Sequence, residues 1–406
     1  MQRYPMPDDH LVVSGVRAML DGRILDDATI VCDQGRIAAI EEGVHRSGAV
    51  DGRGAFCVAA PVSLQARGLD AELRGDGAGG GTRAPLPPDF ALRSLEGRLA
   101  AAGVGTAFHL VSFAPAVDAA PGVAADDLCA EIARRRTQAP PVDHRVVHGI
   151  DAGADEAWAA ARPHLERFDD LVDGSPLVPP LVSLDLTGRG GTVTAPVRVP
   201  VVTGVRAEDD EAADDGSTAD GAAAAELSDA DHRDDELEAH LRALGAAAVG
   251  GDVTLVVRGA DESGVELASG LGAVAVVSPP DVDTAVAADG LGLAVVADAL
   301  DVLPAPGRSS ATTIELVSRG CCRALVSGGT PAALLAAAFE LARVGVATLP
   351  ETIGLVTRGP AGIAGLHDRG RVAVGCRADL VLVRPDGRWP RVVDVLRPPG
   401  DLDPMR

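Results

Sequence analysis

Hydrophobic and polar positions follow two different rhythms along the chain. In the first sixty residues short apolar runs alternate and turn often, as in HLVVSGVRAML, DATIVCDQGRIAAIE and GAVDGRGAFCVAA. Strands are predicted at Leu11–Val13, Ala28–Cys32, Arg36–Ile40 and Ala55–Ala59, separated by Asp-Gly, Gln-Gly and Arg-Gly turns. The same texture returns in RVAVGCRADLVLVRPDGRWPRVVDVLR, which predicts strands at Arg371–Val374, Asp379–Val383 and Arg391–Leu396. Residues 1–60 and 355–406 are therefore expected to build one small β-sandwich-like domain from both ends of the chain.

Between them, apolar runs too short for helices alternate with helix-like stretches. Candidate strands are Pro61–Ala66, Gly105–Ser112, His144–Asp151, Leu177–Asp185, Asp252–Arg258, Ala273–Ser278, Gly292–Ala297 and Cys322–Ser327. The runs ALRSLEGRLAAAG, DDLCAEIARRR, DEAWAAARPHLERF, DELEAHLRALGAAA and PAALLAAAFELARVG have helical character. Eight strand–helix units over residues 61–354 predict an α/β fold, a (β/α)8 TIM-type barrel. The competing doubly wound sheet lacks its Gly-x-Gly-x-x-Gly after the first strand. Two stretches interrupt the pattern: GDGAGGGTRAPLPP at 75–88 is a Gly/Pro loop, and the acidic stretch 207–235 is expected to be a disordered insertion.

Composition narrows the function classes. The chain has 406 residues, a net charge of −23 and 36 basic residues, all of them arginine. So acidic a surface repels phosphate backbones and anionic bilayers, which argues against nucleic-acid and membrane partners. With few aromatic residues (2%) it suggests a salt-rich cytoplasm. No run approaches the length of a membrane span, and the start has no signal-peptide pattern, so a cytoplasmic location is expected. Six cysteines without paired spacing exclude a disulfide scaffold and a zinc ribbon, and adjacent Cys321 and Cys322 read as core.

The ending LPETIGLVTRGPAGIAGLHDRGRVAVGCRADLVLV resembles that of the amidohydrolase superfamily through Pro350, Glu351, Thr357, Pro360, Ala361, Gly365, Leu366, Gly370, Gly375, Ala378, Asp379, Leu380 and Val381. Within it, the segments at 99–113, 142–151 and 324–339 resemble the triphosphate diphosphatases of phosphonate metabolism. The resemblance implies a barrel carrying divalent metal at its C-terminal mouth, where the metal would generate hydroxide and polarise a phosphoryl group. It also implies ligand positions that this chain does not fill. The first-strand His and second ligand are Gln65 and Arg67, a fourth-strand His is replaced at Leu186, the fifth-strand pattern runs through Arg258, and the catalytic aspartate is Gly328. No His lies between Pro61 and Phe108, or between His240 and His367, so a small shift of alignment does not restore the site.

Three readings follow. In the first, the barrel is a metal-free, catalytically inactive relative, without cofactor, that holds a small anionic or phosphorylated ligand. Arg67, Arg258, Arg189 and Arg308 would hold it, because guanidinium forks match phosphate oxygens. The alternative for these arginines is pairing with nearby carboxylates. In the second, the protein is an active phosphonate-pathway hydrolase with a displaced site. His144 and His148, four apart and so on one face of a strand, would act with Asp151 and His109. In the third it is a structural subunit, a homo-oligomer or the partner of an intact paralogue. His10, His45, His164, His232, His240 and His367 read as surface residues.

Overall fold

The computed structural model describes residues 10–75, 85–113, 123–166, 178–187, 221–305 and 311–397. The chain opens with β1 (His10–Leu20), β2 (Arg23–Asp33), β3 (Arg36–Glu42), β4 (Val50–Asp51) and β5 (Phe56–Ala59). It then enters a parallel barrel. Strand β6 (Val62–Ala66) leads to α1 (Gly68–Arg74) and α2 (Pro88–Ala101). Next come β7 (Thr106–Ser112), α3 (Ala125–Arg136), β8 (Asp143–Asp151), α4 (Asp155–Glu166), β9 (Leu181–Asp185), α5 (Gly221–Gly250) and β10 (Thr254–Arg258). Then follow α6 (Glu262–Gly270), β11 (Ala275–Val277), α7 (Val282–Gly290), β12 (Ala294–Asp298), a 3-10 turn, α8 (Ala311–Ser318) and β13 (Cys322–Val326). After α9 (Ala333–Arg343), α10 (Leu349–Gly354) and α11 (Arg358–Ile363), the chain returns to the first sheet as β14 (Leu380–Asp386) and β15 (Trp389–Leu396).

The eight barrel strands pair in chain order, β6 to β13, all parallel. Each falls within or beside its predicted run. The seam between β13 and β6 is drawn together by the Arg67 N–H donating to Gly328 O (3.1 Å) and by a buried 3.0 Å bond between Ser63 Oγ and Ser327 Oγ. Strand parity sorts the side chains into two layers. Val62, Leu64, Phe108, Val147, Leu181, Val256, Val277, Val296 and Val326 fill the inside, with Ala361, Ala364 and Leu366 among them. Val111, Ile150, Leu184, Leu255 and Leu325 face the helices. The helix layer matches: Ala91, Leu92, Leu95 and Leu99 recur at helical spacing on the buried face of α2.

Both termini build one seven-stranded mixed sheet, in the order β15–β14–β5–β1–β2–β3 with β4 beside β1. Period-two alternation lets β5 and β14 serve two cores. Phe56, Val58, Val381 and Val383 pack onto the barrel's helix layer, while Cys57, Ala59, Leu380 and Leu382 fill the sheet's own core. Two expectations are corrected. Arg371–Val374 is not a strand; it lies in a turn between Gly370 and Gly375, whose φ angles are 80° and 86°. The acidic stretch 207–235 is not an irregular insertion throughout. From Gly221 onward its backbone belongs to α5, and 207–220 lies outside the described residues. All six cysteines are free, with Cys321 and Cys322 buried as expected. No helix among the described residues is long and apolar enough to cross a membrane.

Candidate functional site

The C-terminal ends of the barrel strands frame a recess of about 50 Å3 lined by Gln65, Arg67, Arg258, Ser278, Asp298, Val326 and Gly328. A bulge brings Gln65 there. Between Ser63 and Ala66, β6 carries one residue more than the paired stretch Ala107–His109 of β7. Leu64 thus enters the inner core while Gln65 also turns inward and donates through Nε2 to Ser183 Oγ at 3.1 Å. Arg67 follows as the residue that opens α1. Its Nη2 is buried and has no hydrogen-bond partner among the described residues. Arg258 ends β10 opposite Asp185 of β9, and its Nη1 lies 3.5 Å from Asp185 Oδ2. Asp185 is itself held by the N–H and hydroxyl of Thr187, at 2.9 and 2.6 Å. The two arginines therefore differ: Arg258 is tied to a carboxylate, and Arg67 keeps a free donor.

Asp298, at the end of β12, was not singled out from the sequence. Its Oδ1 accepts from Leu300 N at 2.8 Å. Its Oδ2 lies 3.6 Å from where a Cβ on Gly328 would stand. A carboxylate from the neighbouring strand thus reaches the space that a Gly328 side chain would enter. An aspartate closing a barrel strand was the available signal, since the C-terminal ends of such strands carry the chemistry. Of the degenerate ligand positions, Gln65, Arg67, Arg258 and Gly328 meet in the recess. Leu186 does not, because it packs outward against the helix-layer core. Arg189 and Arg308 lie outside the described residues.

The recess can be tested against a divalent metal from its donor set. Among the described residues its lining offers one carboxylate, one amide and one hydroxyl beside two guanidinium groups. Guanidinium cannot be deprotonated to ligate, and its charge opposes a cation. This set of described side chains does not suit a divalent metal.

The displaced site built from His144, His148, Asp151 and His109 is not assembled. His144 and His148 do share a face, but it is the outer one, against the helices, whereas Asp151 sits three residues on and has the opposite parity. Asp151 caps a turn by accepting from Gly153 N at 2.9 Å. His144 and His109 instead belong to a buried polar chain. Glu96 of α2 accepts from Arg135 Nε and Nη2 (2.9 and 2.8 Å) and from His144 Nε2 (2.9 Å). His144 Nδ1 then accepts from His109 Nε2 at 2.8 Å. Burial holds both imidazoles below their ordinary range, His109 at about 3, so both are neutral near pH 7. Glu96 stays ionised despite its burial because Arg135 and His144 bond to it. This chain joins the barrel wall to α2 and α3 and does not open on the mouth.

Two other histidines read as surface residues are partly or largely enclosed. His164 of α4 packs against Phe113 and His148, and His240 of α5 stacks on Trp158 at 5.1 Å. His164 was missed because its partners come from three separate elements.

No family model matches the sequence. The fold is that of the amidohydrolases. An amidohydrolase crystal structure superposes with a TM-score of 0.58 at 14% identity, over 96% of this chain and 98% of that one. The triazine hydrolase from Arthobacter aurescens superposes with a TM-score of 0.61 at 16% identity, over 97% and 94%. In sequence, the chain is similar to the alpha-D-ribose 1-methylphosphonate 5-triphosphate diphosphatase of Escherichia coli (strain K12), 36% identical over 115 residues. That match spans 28% of this chain and 30% of the relative's length.

Proposed function

We propose that this amidohydrolase-fold barrel holds a phosphorylated small molecule at its mouth and does not hydrolyse it by metal-activated water. The observation that carries this reading is the buried Nη2 of Arg67, without a partner among the described residues, beside Arg258 and Gln65 in one recess. An arginine donor left without an acceptor is costly, and an anion that accepts from it removes that cost. The partial likeness to the phosphonate-pathway diphosphatase supports a phosphate-bearing ligand. Isothermal titration of pyrophosphate in the presence of a chelator tests it. Binding is expected, weakened tenfold or more in Arg67→Met, because a charge-assisted bond contributes about 1.5–3 kcal/mol. No binding to the unaltered protein, or equal binding to both, overturns the reading.

One observation favours a second reading. The Asp298 carboxylate borders the same recess and reaches the space beside Gly328. In this reading Asp298 takes a proton from water, the water oxygen bonds to a phosphorus held by Arg67, the phosphoanhydride bond breaks to release the leaving phosphate, and the protein is a hydrolase.

A further inference from the structure

A second cluster of chemical groups lies outside the barrel. Cys129 of α3, His148 of β8 and His164 of α4 each present one donor atom, all within 4.8 Å of one another. The topology explains the meeting. Helix α3 enters β8 and α4 leaves it, so the two helices flank the outer face of one strand, where the parity of His148 directs its ring. Cys129 and His148 are buried, and His164 is half-buried at the edge. Phe113 closes one side, with its ring centroid 5.7 Å from that of His148 and 5.0 Å from that of His164.

One nitrogen of each imidazole also lies beside an acceptor. His148 Nδ1 lies 3.4 Å from Leu181 O, and His164 Nε2 lies 2.7 Å from Asp126 Oδ1. Each ring thereby has its orientation fixed by a carbonyl or carboxylate. That is the arrangement found behind metal-bound histidines.

We propose that Cys129, His148 and His164 bind a zinc ion that clasps α3, β8 and α4 on the outside of the barrel, with water at the fourth position. A thiolate with two imidazoles suits zinc by ligand type. Tetrahedral bonds of about 2.0–2.3 Å put ligand atoms about 3.3–3.8 Å apart, so closing the site needs inward shifts of about 1 Å. The ion takes a lone pair from each donor, and the Cys129 thiol releases its proton to solvent on binding. The clasp is separate from the recess at the mouth.

The test is the metal content of purified full-length protein, stripped with chelator, reloaded with zinc and passed through gel filtration. One zinc per chain is expected. Cys129→Ser and, at the half-exposed position, His164→Gln should each lower zinc affinity tenfold or more, with far-ultraviolet circular dichroism checking the fold. Cobalt loaded in place of zinc should give a thiolate-to-metal absorption band that Cys129→Ser abolishes. Arg67→Met should leave zinc content unchanged. Failure to retain zinc, or stoichiometric zinc indifferent to both cluster variants, overturns the proposal.

Discussion

Replacing Glu96 by methionine cuts the polar chain between the barrel wall and the helix layer at its centre. The side chains of Glu96 and Arg135 are only 9% and 10% exposed, so neither can recover its lost partner as a hydrogen bond to bulk water. Among the described residues, Glu96→Met leaves the Arg135 guanidinium with only its 3.1 Å bond to Gln138 Oε1, and leaves His144 Nε2–H without an acceptor. Breaking a buried pair from one side costs about 3–5 kcal/mol. A chain of this length has an unfolding entropy near 0.85 kcal/mol/K, at about 2.1 cal/mol/K per residue, so the melting temperature should fall by about 4–6 °C. Scanning calorimetry at pH 7 measures it. The double variant Glu96→Met with Arg135→Met removes the stranded charge and should recover about half of the loss. About 1–3 kcal/mol would remain for the stranded His144 donor. A single variant that melts within 1 °C of the unaltered protein, or a double variant no better than the single, would refute the reasoning.

Other consequences can be measured with the same material. Burial, with a smaller contribution from His144, holds His109 at about 3, against an ordinary value of 6.5. Between those values the unfolded chain carries a proton that the folded one refuses. This contribution to stability is therefore full above pH 6.5 and declines on acidification, by at most about 1.4 kcal/mol per pH unit. Denaturant unfolding of His109→Asn should show a slope against pH shallower by about one proton between pH 6 and 4, and an unchanged slope would contradict this. With a net charge of −23, the fold should also gain melting temperature as KCl is raised from about 0.1 M, where the Debye length is about 10 Å. A flat or falling response would remove self-repulsion as a factor.

The barrel was legible because most of its strands are compact apolar runs bounded by Gly, Pro or charge, and parallel strands buried on both sides need that composition. The face of each side chain was not. The four-residue spacing of His144 and His148 fixed a shared face, but only the position of Val147 in the inner core reveals that the shared face is the outer one. Gln65 reaches the mouth through a bulge that no local pattern in VSLQA announces. Arg67 and Arg258 do line one recess, yet only tertiary geometry separates the arginine paired with Asp185 from the one left with a free donor. The cluster of Cys129, His148 and His164 gathers residues from α3, β8 and α4, so it has no short motif to read.

The central claim is that the mouth holds phosphate without cleaving it, and turnover tests it most directly. A ribose or nucleoside triphosphate is incubated with the protein and saturating zinc, manganese or iron(II), and released phosphate and pyrophosphate are measured. No release above the protein-free control is expected with any metal. Sustained release that Asp298→Asn abolishes would contradict it and make the recess a hydrolytic centre.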